Sequence, residues 1–293
     1  MAAYRIINLR YAGKGDGSTP MSGPTRARIV GNTDIKTAQT GVMLAGAWKT
    51  GAAPQVIIEF EGLTEALLAV KGSLALQVLV LGYVADNCNW NLTIGGATAT
   101  AVGESRFPPA EGSGKVPRVE ITFDIHKMGD VDTLAECIVD ATDAGGLACT
   151  TDPLVNLVSA LGGATGVTAI DLVVEATLRC TMAKAISRGG GDELPAGVYI
   201  KSCEPQVVIT VEDLTTYLAA FSGAVIDETL KLNYIAGVSG AKCLTVKWAR
   251  RVGVEEMPIN PAEDSGTVGR GRIVFKVVLG TNVTGPATAL VVT

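Results

Sequence analysis

Apolar positions along this chain come in short runs whose spacing switches between two residues and three or four, with glycine, proline, serine and threonine between them. Residues 55–60, Gln-Val-Ile-Ile-Glu-Phe, are β-branched and short, the pattern of a strand. Leu63, Leu67 and Val70 then recur at helical spacing, with Thr64 near the start and Gly72 at the stop. Over 76–85 the period returns to two, placing Leu79, Leu81 and Tyr83 on one face of a second strand. Residues 92–94 open a third, a long loop holds Pro109-Ala-Glu-Gly-Ser-Gly, and 118–125 close the set. The pattern predicts a mainly β unit, a small β-sandwich or barrel with one short packed helix.

That succession occurs twice. Shifted by 151 positions, residues 54–85 lie on 205–236 without a gap, and 14 of the 32 positions are identical. Shifted by 152, residues 91–125 lie on 243–277 with 14 identities in 35. Unrelated segments of such skewed usage would share about one position in twelve, so we expect two tandem, duplicated domains. The slip from 151 to 152 falls near polar Asp86-Asn-Cys-Asn, where one added residue disturbs least. The expected organisation is a first β domain over 1–130, a connector over 131–166 and a second β domain over 167–293. Residues 13–24 read as a Gly/Ser/Pro/Thr arm reaching out of its own domain. The connector reads as holding two short helices, 133–141 and 153–161, and the tail 280–293 ends in a strand-like Ala-Leu-Val-Val.

Composition narrows the function classes. With 293 residues, 47% hydrophobic and 18% charged, the chain can bury a real core, which excludes disorder of the whole. Lysine plus arginine number 24 against 29 acids, and neither half is basic, so no nucleic-acid footprint stands out. The mean hydropathy of +0.33 is high for a soluble monomer. The densest apolar run, 74–85, is broken by Gln77 and too short to cross a bilayer, and Met-Ala-Ala-Tyr-Arg-Ile does not resemble a signal peptide. We therefore expect no membrane partner, and read the surplus apolar surface as contact with other subunits.

Candidate chemistry is sparse. Cys88, Cys137, Cys149, Cys180, Cys203 and Cys243 are scattered with no C-x-x-C pair, and read as reduced, small hydrophobes; the sequons at Asn91 and Asn282 then carry no weight. The one histidine, His126, shares a strand face with Asp124, an Asp-His pair that the second copy replaces by Lys276 and Val278. Gly13-Lys-Gly-Asp-Gly-Ser-Thr lacks the Gly-Lys-Ser/Thr of a phosphate cradle, and Arg188-Gly-Gly-Gly-Asp reads as a hairpin tip. Arg250-Arg251 beside Trp248 could stack on a base, but reads better as a solvated strand face. Glu111 and Glu263, in the Pro-Ala-Glu-x-Ser-Gly loop of both copies, bring one acid apiece and read as turn residues. The expectation is no enzyme, and no catalytic, cofactor-binding or metal residues.

Glu61-Gly-Leu-Thr-Glu-Ala-Leu-Leu-Ala-Val-Lys-Gly72, set between two strands, resembles the strand, helix and strand of bacteriophage tail tube proteins, with their Leu-Thr-Pro-Glu-x-Leu-Ala-type helix followed by glycine. The second copy keeps Leu214, Thr215, Leu218 and Gly223; the proline is missing from both. The resemblance covers about 30 residues in each half. It implies a structural virion protein, made in the host cytoplasm and housed in the tail. It further implies that two fused tube domains close as a homotrimeric ring of pseudo-sixfold symmetry, and that rings stack into a tube conducting DNA during ejection. Its partners would be itself, with the tape measure protein and phage DNA in the lumen. An acidic or neutral lumen is expected, with Glu59, Glu61 and Glu212 nearest to it, and not one ringed by Arg118 and Arg270. The alternatives are another pseudo-hexameric tail part, a distal tail or hub protein, or a tandem β-sandwich carbohydrate-binding protein using Trp48, Trp90 and Trp248.

Overall fold

The computed structural model describes residues 7–15, 17–40, 43–75, 77–85, 88–107, 118–129, 133–142, 155–190, 193–212, 214–222, 227–236, 241–255, 270–280 and 283–293. The protein is mainly β, with a large antiparallel sheet. The first half runs β1 (Ile7–Lys14), β2 (Thr19–Pro20), β3 (Pro24–Val30), β4 (Thr33–Thr40), β5 (Met43–Ala52), β6 (Gln55–Glu61), α1 (Thr64–Val70), β7 (Gln77–Ala85), β8 (Cys88–Phe107), β9 (Arg118–Ile125), α2 (Leu134–Cys137) and β10 (Ile138–Thr142). The second runs β11 (Val155–Gly162), β12 (Thr168–Ile170), β13 (Val173–Ser187), β14 (Gly197–Val211), α3 (Leu214–Ser222), β15 (Asp227–Ala236), β16 (Ala241–Glu255), β17 (Gly271–Val277), α4 (Pro286–Ala289) and β18 (Leu290–Val292).

Each half is built on one long strand that serves two ladders. The first part of β8 pairs with β7 and β10, and its later part with β9, which leads on to β6 and β3. Val56, Ile58, Phe60, Ile121 and Phe123 from the second ladder meet Leu79, Leu81 and Ile94 from the first in one buried cluster. In the second half β16 serves β15 and β18 at one end and β17 at the other, and β17 leads to β14 and β13. The alternation inward and outward along each strand makes this two-faced packing possible.

The ladders of the halves agree position by position. Gln55 faces Asp124 and Ile58 faces Ile121, as Gln206 faces Lys276 and Ile209 faces Ile273. Leu79 faces Ile94 and Leu81 faces Leu92, as Leu230 faces Val246 and Leu232 faces Leu244. These are the 151 and 152 offsets of the sequence repeat. The irregularities agree as well: Leu9/Tyr11 with Leu157/Ser159, Pro24/Arg26 with Val173/Glu175, and Asp34/Ile35 with Ala183/Lys184. The hairpin β4–β5 thus matches the outer half of the continuous β13–β14 hairpin. In the first half the strand is interrupted at Asn32, whose φ of 41° lies in the left-handed region.

Three sequence expectations differ from what is seen. Residues 13–24 are not an outward arm: Gly13 faces Pro20 and Lys14 faces Thr19, and Ala12 and Met21 are fully buried in the first core. Gly15 and Gly17 supply the positive φ values, 77° and 87°, that close this turn. Of 153–161, the described residues 155–161 are not helical but belong to β11. Its bulge between Leu157 and Ser159 buries Leu157 and Ala160, three apart, which imitates a helical period. Of 133–141, only α2 is helical before β10 begins, because Ile138 must face Ile94 across the ladder. β10 and β11, both inside 131–166, pair with strands on either side, and β10 and β18 occupy matching places beside β8 and β16.

Candidate functional site

The residues singled out for chemistry are structurally occupied. His126 is buried, with Nε2 3.0 Å from Thr98 Oγ1 and Nδ1 2.8 Å from the Lys127 carbonyl. Asp124 instead pairs with Lys184 and accepts a hydrogen bond from Gln55 Nε2 at 2.7 Å, so no Asp-His pair forms. Among the described residues no group of three or more His, Cys, Asp or Glu is placed to hold a metal ion. Cys149 lies outside them; burial raises the Cys137 thiol pKa. Cys203 donates to the Val70 carbonyl at 3.4 Å, and the interaction of its thiol with that of Cys180 raises the Cys180 pKa and lowers that of Cys203.

Lys14, at the glycine-rich turn, is bound to Glu65 at 2.6 Å rather than free for a phosphate. Arg188 pairs with Asp34 at 3.2 Å. Arg250 holds Asp227 in two bonds of 2.6 and 3.0 Å, and Arg251 reaches buried Glu228 at 2.9 Å, so that basic dipeptide is neutralised. Trp248 lies so close over Gly280 that a Cβ there would sit 2.2 Å from its ring. Trp90 faces Tyr83 across β7–β8, and Trp48 faces Lys36 across β4–β5. Glu111 and Glu263 lie outside the described residues.

Glu59, Glu61 and Glu212 stand on the solvent face of the long ladder, but not as free acids. Arg118 lies 3.0 Å from Glu61 and 3.6 Å from Glu59, and Arg270 lies 2.9 Å from Glu212 at the matching register. Arg28 pairs with Glu120 at 3.2 Å on the same face. Where the halves meet, Arg179 bridges Glu104 at 2.8 Å and Glu255 at 3.1 Å, and Arg272 reaches Glu255 at 3.3 Å. Burial raises the Glu255 pKa, but the two guanidinium groups outweigh it and leave it below the ordinary carboxylate value. On this face each of the three acids, Glu59, Glu61 and Glu212, stands beside an arginine.

The halves join through β8 and β13. Phe107 faces Ala176, Arg106 faces Thr177 and Ser105 faces Leu178, so the long ladder of one half continues into that of the other. Phe107 is fully buried and meets Tyr234 edge-on at 5.4 Å between ring centres. It packs in one cluster with Leu157, Ala176, Leu178, Leu232, Tyr234 and Leu244. Helix α1 serves both cores: Ala66 and Ala69 face its own half, while Leu63, Leu67 and Val70 pack into the other. In return Leu194, from the turn between β13 and β14, is buried in the first core.

The matching place on the first half is open. Leu9, Ala27, Ile29, Leu81, Tyr83 and Leu92 correspond one for one to the six residues around Phe107. With Arg28 they line a groove of about 370 Å³. Ile29 is 45% exposed where its counterpart Leu178 is 1% exposed. Among the described residues β3 has one ladder, to β6, whereas β13 has two. Sequence reading missed this groove and Phe107. The available signal was weak: between 24–38 and 173–187, offset by 149, only Ala27 and Ala176 are identical. No protein-family model matches the chain, and no curated protein matches it.

Proposed function

We propose that this chain is a structural subunit of a bacteriophage-type tail tube: two like units side by side form one third of a ring, and rings stack into a channel for DNA. The observation that carries this reading is the continuous ladder through β8 and β13, which joins two halves of the same register edge to edge. Such a wall has a core side and a solvent side, and its solvent side is a lattice of ion pairs. A wall of that kind meets a polyanion without a strong net field of either sign. Three copies would give six equivalent places around the axis, with successive units related by about 60°.

Mass photometry and negative-stain microscopy of the purified protein test this. Three-chain rings and hollow filaments are the expected result. Rings that never stack would favour the distal tail or hub reading, and a monomer at all concentrations would overturn both.

A further inference from the structure

We infer that the groove beside Trp248, on the second half, binds a neutral sugar, with one pyranose stacked on the indole and its hydroxyls held by the charged pairs around it. The site does not rest on the tail reading above, because every residue in it belongs to one half of one chain.

Trp248 stands where a tryptophan fits the backbone poorly. Leu230 faces Val246 and Glu228 faces Ala249, so Thr229 alone opposes Lys247 and Trp248, a bulge in the β15–β16 ladder. The matching bulge of the first half consists of Gly95 and Gly96. Both serve the fold alike: the Val278 N–H donates to the Trp248 carbonyl at 3.0 Å, and the His126 N–H to the Gly96 carbonyl at 3.1 Å. Trp248 has a φ of 53°, a left-handed conformation that a bulky side chain adopts only under strain. The backbone therefore does not account for the indole. In the first half the segment after β9 closes over Gly96, where a built Cβ would stand 3.1 Å from the Cβ of Met128. In the second half the 152 offset sets Gly280 at the place of Met128, and the indole lies against it. Large and small have changed places, and the large group is now a half-buried ring carried by the strand.

The groove has a volume of about 330 Å³ and is lined by Trp248, Lys247, Asp227, Glu228, Thr229 and Thr245. That is the small end of ligand pockets. Only Thr245 has a like residue in the first half, Thr93; Gly96, Gly95, Leu76, Gln77 and Val78 stand at the places of the other five. Thr98 and Ala99 stand at those of Arg250 and Arg251. A polar cluster confined to one of two copies of the same fold is not required by the fold.

The charges select the ligand. Arg250 holds Asp227 in two bonds, and Arg251 and the Gly163 N–H at 2.8 Å hold Glu228. A ligand thus meets fixed acceptors and donors side by side. Hydroxyl groups use both, each donating to a carboxylate and accepting from an ammonium or guanidinium. A pyranose also offers a face of C–H groups to the negative face of an indole. A quaternary ammonium would meet the same indole but be opposed by Lys247 and the two arginines, and a phosphate would be opposed by the two acids.

Tryptophan emission and titration calorimetry of the full chain with maltose, lactose and chitobiose, each up to about 20 mM, test the site. At least one should bind with a Kd of about 1 mM and shift the emission. Trp248→Ala should weaken that binding about ten-fold or more, and Trp248→Phe, which keeps a flat ring, about three-fold or less. Thermal unfolding checks that each variant keeps the parent's fold. Lys247→Ala, at an exposed position, should weaken binding about three-fold or more, and reads the site even where loss of the indole unsettles the sheet. Failure of the parent to bind any of the three sugars would overturn the site, and so would a folded Trp248→Ala that binds like the parent. Tetramethylammonium bound more tightly than the sugars, and lost with Trp248, would overturn the sugar as ligand. A monomer that binds sugar would sink the tail reading and leave the site standing; tubes that bind none would do the reverse.

Discussion

Phe107 closes the junction between the halves, and its energetics follow from its surroundings. The ring is fully buried, meets Tyr234 edge-on and shares one cluster with Leu157, Ala176, Leu178, Leu232 and Leu244. Phe107→Ala should cost about 3–5 kcal/mol, read by urea denaturation; a loss under about 1 kcal/mol would mean the halves do not depend on this plug. A second residue-scale consequence concerns acid. The pKa values of Glu255 and Asp227 are depressed, the first by Arg272 and Arg179 against burial, the second by Arg250. A depressed carboxylate stabilises the fold above its unfolded pKa and loses that contribution as pH falls through the folded value. Stability should hold down to about pH 5 and decline below about pH 4. Both side chains are open to solvent, so each pair's share is small. A thermal midpoint that rises between pH 5 and pH 3 would contradict this.

At the level of elements, two glycines with nearly the same backbone separate conformational strain from crowding. Gly72, after α1, has a φ of 77° and open space where a side chain would go; Gly23, before β3, has a φ of 64° and the Glu61 carbonyl oxygen 2.1 Å from a built Cβ. Gly72→Ala should cost about 1 kcal/mol. Gly23→Ala should cost clearly more, because backbone must move; equal losses in denaturant titration would refute the distinction. Gly72 also shows what was legible in the sequence: helix α1 with its stop, and strands β6, β7 and β15, stand where period and turn residues put them. The failures have a common physical origin. Bulges and short turns offset the burial pattern, so Leu157 and Ala160 imitated a helix and the turn after β1 imitated a loose arm. The groove was illegible for another reason: a strand edge and pocket are specified by pairing register, which tolerates nearly complete replacement of side chains between β3 and β13.

Across the whole molecule the deciding property is the charge of the ladder's solvent face. Arg118 and Arg270 stand where free arginines would grip a phosphate backbone, yet each is held by a glutamate, Glu61 at the end of β6 and Glu212 just after β14. If this face lines a DNA channel, the pairs set its friction. Each lysine or arginine that engages a phosphate adds about −0.9 to the slope of log affinity against log salt, so six free contacts would hold DNA tightly at low salt. The assembled parent protein should therefore bind DNA weakly, with a slope no steeper than about −1. Glu61→Gln combined with Glu212→Gln removes the acceptors' charge while keeping their shape, takes from Arg270 its glutamate and leaves Arg118 only the longer 3.6 Å contact with Glu59. That double variant should assemble as the parent does, retain DNA better at low salt, and steepen the slope by about one or more. Fluorescence anisotropy with a short duplex over a salt series reads both numbers. A parent slope of about −5 or steeper would show that the ion pairs open to take phosphates and that the face is a DNA-binding surface. An unchanged slope in the double variant would place the face away from DNA and assign the ion pairs to holding the sheet alone.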